Sequence, residues 1–447
     1  MSPDVNPMDV LNDLPVGNKN TPAAAQDEPA QTNHFGRPQR SLLSTLRMRR
    51  GWSEGSLTDY DDPSHPELKD TELLCQLLYG IRERGEKIVV LPDYDMDGIT
   101  SGVLGWAGLA ELGFDVELYV PDHRRGHDVA PEALDELVAR HPGVQAVITC
   151  DGGVNSHPGI QRGVDLGLTM LVTDHHVQLP IGPSPAAVVV DPERIDEDYP
   201  HPGICGAFVL WQCLDAFARR FAPHKVDDIR LLRLFAGIGT VSDVMPLLYE
   251  NRQIVRDSVS LAKLLWHPVS LADLTTEYDI ESSLMMKLLR TAEHSWQFLS
   301  AFEGFALCLQ VFREPGNPRP VIDAITQEPA LDDKGEPVLV QGSPKLRRGA
   351  DISEEFYGFY LAPAFNSVRR VDGDMAEPFG AFTASTKDQK LAHIQAVVSM
   401  NEERKEATAY YMDRLHEIDQ PFAPWAWLTD APGGMLESER TIGDSSG

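Results

Sequence analysis

Lys87-Ile-Val-Val-Leu-Pro-Asp-Tyr-Asp-Met-Asp-Gly98 is the stretch that decides the fold. It begins with a short apolar run, β-branched at Ile88, Val89 and Val90, that stops at Pro92. A run of this length and composition reads as a strand buried on both faces, the kind found in a parallel sheet. Directly after it, Asp93, Asp95 and Asp97 occupy every second position. Alternate residues of an extended chain share a face, so three carboxylates would crowd together and repel. Divalent cations shared among them make that crowding favourable. Oxygen donors point to Mg²⁺ or Mn²⁺, and any added imidazole favours Mn²⁺. A calcium loop also begins DxDxDG, but here no Glu closes the loop and the motif follows a buried strand.

The same pattern recurs along the chain. Val116 to Val120 leads to Asp122, Val144 to Thr149 leads through Cys150 to Asp151, Leu168 to Thr173 ends at Asp174, and Ala186 to Val190 ends at Asp191. Stretches with helical spacing at 100–112, 131–140 and 158–167 have the length of crossover connections. The expected architecture is α/β, a doubly wound parallel sheet. In such sheets ligands bind beyond the carboxyl ends of the strands, where Asp93, Asp151, Asp174 and Asp191 all fall. Any one of them alone could be a helix cap or turn residue; several together, with further acids and two histidines beside them, point to a site.

Outward from this region, residues 1–39 are rich in Pro, Asn, Ala, Gln and Asp and read as a disordered tail. Leu42, Leu43 and Leu46 lie at helical spacing beside Arg47, Arg49 and Arg50 and suggest a basic helix. The helix predicted at 71–83 opens a sheet domain expected to span 40–290. Helices are predicted at 205–222 and 226–236, and most of 253–315 reads as helix. Gly237 to Pro246 reads as a loop carrying Asp243. The segment 291–386 is expected to be helical, interrupted by a hairpin at 331–340 and by a loop with Lys345, Arg347 and Arg348. A long helix is expected over 387–418, and a Pro-, Gly- and acid-rich remnant over 419–447.

Composition bounds the function. The 447 residues carry 39 Lys+Arg against 68 Asp+Glu, a net charge of −29. Such a chain repels nucleic acid unless its acids are organised around metal ions. Its 5 cysteines are widely spaced and form no CxxC pair, so a reducing cytoplasm is the expected location. No apolar run of spanning length appears, so no membrane partner is expected.

Two further constellations carry chemistry. Asp151-Gly152-Gly153 gives a carboxylate at a strand end with little bulk behind it. In Asp174-His175-His176 the adjacent side chains point apart, so one imidazole could meet a metal and the other a phosphate oxygen, with Asp174 orienting a ring.

DYDMDG at 93–98, CDGG at 150–153, TDHH at 173–176 and GTVSDVMPL at 239–247, in this order, resemble the DHH phosphoesterase superfamily, and within it the RecJ-like exonucleases specific for single-stranded DNA. LLSTLRMRRG at 42–51, GHDVAPEAL at 126–134 and GICGAFVLWQCL at 203–214 extend the likeness over roughly 40–415. The resemblance implies two metal ions, usually Mn²⁺ with Mg²⁺ as the alternative. It implies Asp95, Asp97, Asp151, Asp243 and His175 as their ligands, with Asp93 as ligand or close support. His176 matches the histidine that contacts the scissile phosphate, and Asp174 and His175 complete the catalytic motif. Two such ions would acidify a water and stabilise attacking and leaving oxygens. The implied activity is 5′→3′ removal of mononucleotides from single-stranded DNA, as in repair, recombination or replication.

The chain departs from that pattern in two places. Pro363-Ala-Phe-Asn-Ser-Val-Arg-Arg370 stands where the family has Pro-Arg-Ile-Asn-Ala-Ala-Gly-Arg. Asn366 and Arg370 match, Ala364 replaces an arginine, and Arg369 is expected to compensate as a phosphate contact. Trp425-Ala-Trp-Leu428 and Pro432-Gly-Gly-Met435 look like the start of the family's C-terminal substrate-binding domain, so the remainder is expected to come from a separate chain. Two other functions suit the fold: a phosphodiesterase for short oligonucleotides or cyclic dinucleotides, and a non-catalytic replication factor.

Overall fold

The structure, a computed structural model, describes residues 66–415 apart from 121, 126–128, 267–282, 314–318, 321–338, 341–344 and 347–348. The expected N-terminal tail, the basic helix at 42–50 and the segment 419–447 lie outside the described residues, as do Arg347 and Arg348.

Five parallel strands form the main sheet: β1 (Lys87–Pro92), β2 (Val116–Leu118), β3 (Val144–Cys150), β4 (Thr169–Thr173) and β5 (Val188–Val190). Their order is β2-β1-β3-β4-β5. Alternation along each strand feeds two cores. Ile88, Val90, Ile148 and Leu171 pack into one, with α1 (Thr71–Glu83), α2 (Met96–Glu111) and, further on, α5 (Gly206–Phe221). Val89, Leu91, Val147 and Val172 pack into the other, with Leu134 of α3 (Pro131–Arg140) and Ile160 of α4 (His157–Asp165). Helices thus cover both faces, and the doubly wound reading stands.

The strand order also locates the site. From β1 the chain leaves through α2 to β2 on one side, then returns through α3 to β3 on the other. The loops after β1 and β3 therefore diverge, and a crevice opens between them at the topological switch point.

α2 is buried on nearly every side, the pattern of a helix at the centre of a core. It is covered by α5, by α7 (Arg233–Ser242) and by α10 (Trp296–Arg313). Between these run α6 (Val226–Leu231), α8 (Tyr249–Trp266) and α9 (Leu284–Thr291). The core that holds Ile88 and Val90 continues without interruption through Phe298, Phe302 and Phe382 to Val397. The sheet and the later helices thus share one interior across 290/291. Removing a fully buried aliphatic such as Leu104 would cost about 2–5 kcal/mol.

One expectation needs correction. The single helix predicted at 226–236 is two helices that meet at Leu232, and the second continues to Ser242 through residues read as loop. The glycines at 237 and 239 suggested a break, but tight packing favours small residues there. Of the hairpin expected at 331–340, residues 331–338 lie outside the described residues; β7 (Leu339–Val340) lies antiparallel to β6 (Arg319–Pro320). The later segment then winds through a helical turn at Glu354–Phe356, a π-helical turn at Tyr357–Leu361, and α11 (Ala362–Phe365) and α12 (Ser367–Arg370). It ends in α13 (Ala376–Thr383) and α14 (Lys387–Leu415).

Candidate metal centre

Each acid of the first motif is placed by a different local device. Asp95 is the N-cap of α2, and its Oδ1 accepts from Gly98 N at 3.0 Å, a usual way to satisfy the first turn of a helix. Asp97 lies inside that first turn and is buried. Its two carboxylate oxygens accept from Gly206 N at 2.7 Å and Ala207 N at 3.2 Å. The N-terminus of α5 thus holds the Asp97 anion, as helix N-termini do. The amide of Asp93 donates to Cys150 O at 3.2 Å, extending the pairing of β1 with β3 past the end of β1.

Asp151, at the end of β3, adopts φ 60°, the left-handed region, which non-glycine residues visit rarely and which concentrates at functional sites. Its Oδ1 is buried and makes no hydrogen bond of acceptable geometry. The nearest donor is His175 Nε2, at 3.1 Å. The same nitrogen lies 3.6 Å from Asp243 Oδ2 and 3.9 Å from Asp97 Oδ2. Asp243 sits at the C-cap of α7, one residue beyond the helix.

The adjacent histidines differ in exposure. His175 is turned toward the carboxylates and His176 is largely exposed. Asp174 is buried between them. Its Oδ1 meets His176 Nδ1 at 2.7 Å and accepts from His175 N at 2.7 Å, while Oδ2 accepts from Val154 N at 2.9 Å. Burial opposes ionisation of Asp174, but these partners, His176 foremost, hold its carboxyl below the usual range. The same hydrogen bond lifts the His176 imidazole to about 9.

Asp151, Asp97 and Asp243 move the opposite way. Burial, then the nearby Asp97, Asp95 and Asp93, pushes Asp151 well above an ordinary carboxyl. Burial raises Asp97 as well, against the pull of His175, and burial with Asp97 raises Asp243 to about 6. Like-charged acids held together out of water behave this way. Three overlapping donor groups lie here, each with ligand atoms within 4.8 Å of one another: Asp93, Asp95 and Asp151; Asp97, His175 and Asp243; Asp151, His175 and His176. The donor set and the orphaned Asp151 oxygen suit hard divalent cations.

The remaining residues divide. Asn366 Oδ1 accepts from Met96 N at 2.7 Å, so its carbonyl end is used to hold the start of α2. Arg369 stands 5.6 Å from the Tyr94 ring centroid, and Arg370 ends α12. Asp191 follows β5 directly and is buried. Its Oδ1 accepts from Glu193 N at 2.7 Å, burial raises it to about 8, and it joins none of the donor groups found among the described residues.

Two glycines matter that the sequence reading passed over. A Cβ at Gly206 would lie 2.7 Å from Asp151 Oδ1, and one at Gly239 would lie 2.2 Å from Asp97 Oδ1. Only glycine lets α5 and α7 approach the carboxylates this closely. Both glycines lie in stretches quoted for the resemblance, but a close approach across 55 to 142 positions of chain leaves no local signal.

Comparison with known proteins fits this geometry. Residues 87–238 match the model of the DHH family, N-terminal domain. This stretch is a DHH domain. The single-stranded-DNA-specific exonuclease RecJ of Salmonella typhimurium is 33% identical over 207 residues, 43% of this chain and 35% of that protein. RecJ of Escherichia coli is 33% identical over 205 residues, with the same coverage of 43% and 35%. The match thus spans about a third of the length of these curated relatives. Among solved structures, RecJ from Thermus thermophilus in complex with Mn²⁺ superposes with a TM-score of 0.57 at 19% identity, over 84% of this chain and 44% of that one. A second structure, exonuclease RecJ bound to manganese, gives 0.55 at 21% identity, over 79% and 71%. Identities this low speak to the fold alone. Among the described residues, no helix is long and apolar enough to cross a membrane.

Proposed function

We propose that this chain is a divalent-metal-dependent phosphodiesterase, a RecJ-like exonuclease that removes 5′-mononucleotides from single-stranded DNA in the 5′→3′ direction, acting in repair, recombination or replication. The observation that carries the proposal is Asp151 Oδ1: a buried carboxylate oxygen without a hydrogen bond, at the meeting point of acids from four separate elements. The curated relatives support the substrate class, since the RecJ proteins are named as single-stranded-DNA-specific exonucleases. RecJ structures in complex with Mn²⁺ and with Mg²⁺ support the choice of metals.

Asp93, Asp95, Asp97, Asp151, Asp243 and His175 would hold two ions, Mn²⁺ or Mg²⁺. When bound, these supply positive charge for phosphate oxygens and a water acidified toward neutral pH. The chain's own residues do the positioning. The α5 N-terminus fixes Asp97, and Asn366 fixes the start of α2 between Asp95 and Asp97. Asp174 takes His176 Nδ1, which turns the other ring nitrogen outward as a charged donor for a phosphate oxygen. Arg369 and Arg370 add positive charge on the side of α12. Local cation binding would also explain how a chain at −29 engages a polyanion.

The test is nucleotide release from single-stranded DNA by the full chain with Mn²⁺, compared with duplex DNA, with di- to pentanucleotides and with Asp151→Ala. Mononucleotides released from long single strands by wild type alone support the reading. Equal release by Asp151→Ala would reject the site, and cleavage confined to the short substrates would reject the exonuclease.

A further inference from the structure

The two most exposed large apolar side chains among the described residues are Val244, 86% exposed, and Phe359, 75% exposed. Both sit on irregular backbone. Val244 has φ 57°, a genuine outlier for a β-branched residue. Phe359 lies in the π-helical turn Tyr357–Leu361, a distortion found often at functional sites. The two are linked through Val241. Val244 N donates to Val241 O at 3.2 Å, and a Cβ on Gly358, the neighbour of Phe359, would stand 3.5 Å from Val241 Cγ1. Val241 lies two residues before Asp243, so this apolar pair borders the carboxylate cluster on the Asp243 side. Cationic and aromatic character continue along the same turn. Tyr360 stacks on Phe356 with centroids 6.4 Å apart, and Lys345 Nζ lies 5.4 Å from the Tyr360 centroid.

Holding a phenyl ring in water beside an anion-handling site costs hydrophobic free energy that the fold does not recover. A flat exposed ring, one residue along the turn from a tyrosine that carries a lysine over its face, suits the face of a nucleobase whose phosphate lies nearby. We propose that Phe359 is a stacking platform for a base of the bound strand, with Val244 as the apolar ledge under its edge and Lys345 as the cation for its backbone. The inference rests on the single-strand reading above and adds to it a base-binding subsite. Stacking is tolerant of sequence because every base has a π-face, so the subsite grips the strand without selecting it.

The experiment is a binding cycle on the full chain with Mn²⁺ and a fluorescently labelled, nuclease-resistant phosphorothioate dodecamer of thymidine. Phe359→Ala is expected to weaken binding about tenfold, whereas Phe359→Trp binds within about twofold of wild type. A dodecamer scanned with one abasic position should reveal a register at which wild type loses the same factor. At that register Phe359→Ala should lose nothing further, because ring and base act as one pair. Unchanged binding by Phe359→Ala, or additive losses at every register, overturns the stacking platform while leaving the exonuclease reading intact. A concentration-dependent shift from dimer to monomer caused by Phe359→Ala also overturns it and assigns the face to a second copy of the chain. Wild-type protein that binds no single strand sinks the substrate reading and this inference with it.

Discussion

The two ends of α2 carry clusters of the same residue types in opposite states. At its C-terminal end Glu111 gathers with Asp228 and His294, again with ligand atoms within 4.8 Å. There both carboxylate oxygens are satisfied: Oε1 by Lys225 Nζ at 2.5 Å and His294 Nδ1 at 3.0 Å, Oε2 by Ser295 N at 2.8 Å and Ser295 Oγ at 3.0 Å. Burial opposes ionisation of Glu111, yet these partners hold it down at about 2. At the N-terminal end Asp151 and Asp97 are pushed upward, and an oxygen is left over. Composition and distance alone do not separate the clusters. Satisfaction does: the first is a closed structural knot, the second keeps a buried carboxylate oxygen without a hydrogen bond.

The largest expected effect falls on activity. Asp151→Asn should lower nucleotide release by about 10³-fold or more, since two-metal chemistry contributes several kcal/mol. Glu111→Gln should stay within about threefold of wild type when assayed well below its unfolding temperature. Equal losses in both would erase the distinction between the two ends.

Stability should respond the other way round. Glu111→Ala breaks a satisfied buried ion pair with Lys225 and should cost about 3–4 kcal/mol in urea unfolding. In metal-free protein, Asp151→Asn removes a repelled buried charge at a left-handed position that Asn accepts well, so it should be neutral or stabilising.

The pH dependence of metal-free stability should show both signs. Glu111 falls from an ordinary 4.5 to about 2. The unfolded chain therefore binds the proton more tightly, and this contribution is present above 4.5 and lost as pH falls toward 2. Asp191 rises from 3.8 to about 8. Its contribution is present below 3.8 and lost as pH climbs toward 8. Urea titrations across pH should show Asp191→Asn flattening only the decline from 3.8 toward about 8, and Glu111→Gln flattening the acid limb only.

A smaller effect belongs to the loop that arranges the acids. Asn366→Ala removes the acceptor for Met96 N and should cost about 1 kcal/mol, as loss of a helix cap does. It should also weaken Mn²⁺ binding more than Arg370→Ala does; the reverse ranking would argue against a positioning role for Asn366.

Much of this was legible in the chain because the signals were local. β-branched runs ending in Asp marked the strands, and helical spacing at 131–140 marked α3. The acids at alternate positions after β1 announced their own crowding. What stayed hidden depended on distant partners. Asn366 meets Met96 across 270 positions, so a residue expected to touch substrate proved to hold the start of α2. Gly239 looked like a loop residue because its reason for being glycine is the Asp97 oxygen on another helix. The Glu111 cluster escaped notice because nothing in Glu111 or His294 alone predicts that Lys225 and Ser295 will close around them.

The central claim, that the Asp151 end of α2 is a cation site and the Glu111 end is not, meets its most direct test in a calorimetric Mn²⁺ titration of wild type, Asp151→Asn and Glu111→Gln. Saturable binding in wild type and Glu111→Gln, abolished or weakened at least about 100-fold in Asp151→Asn, is the predicted result. Equal binding by wild type and Asp151→Asn, or loss confined to Glu111→Gln, would contradict it.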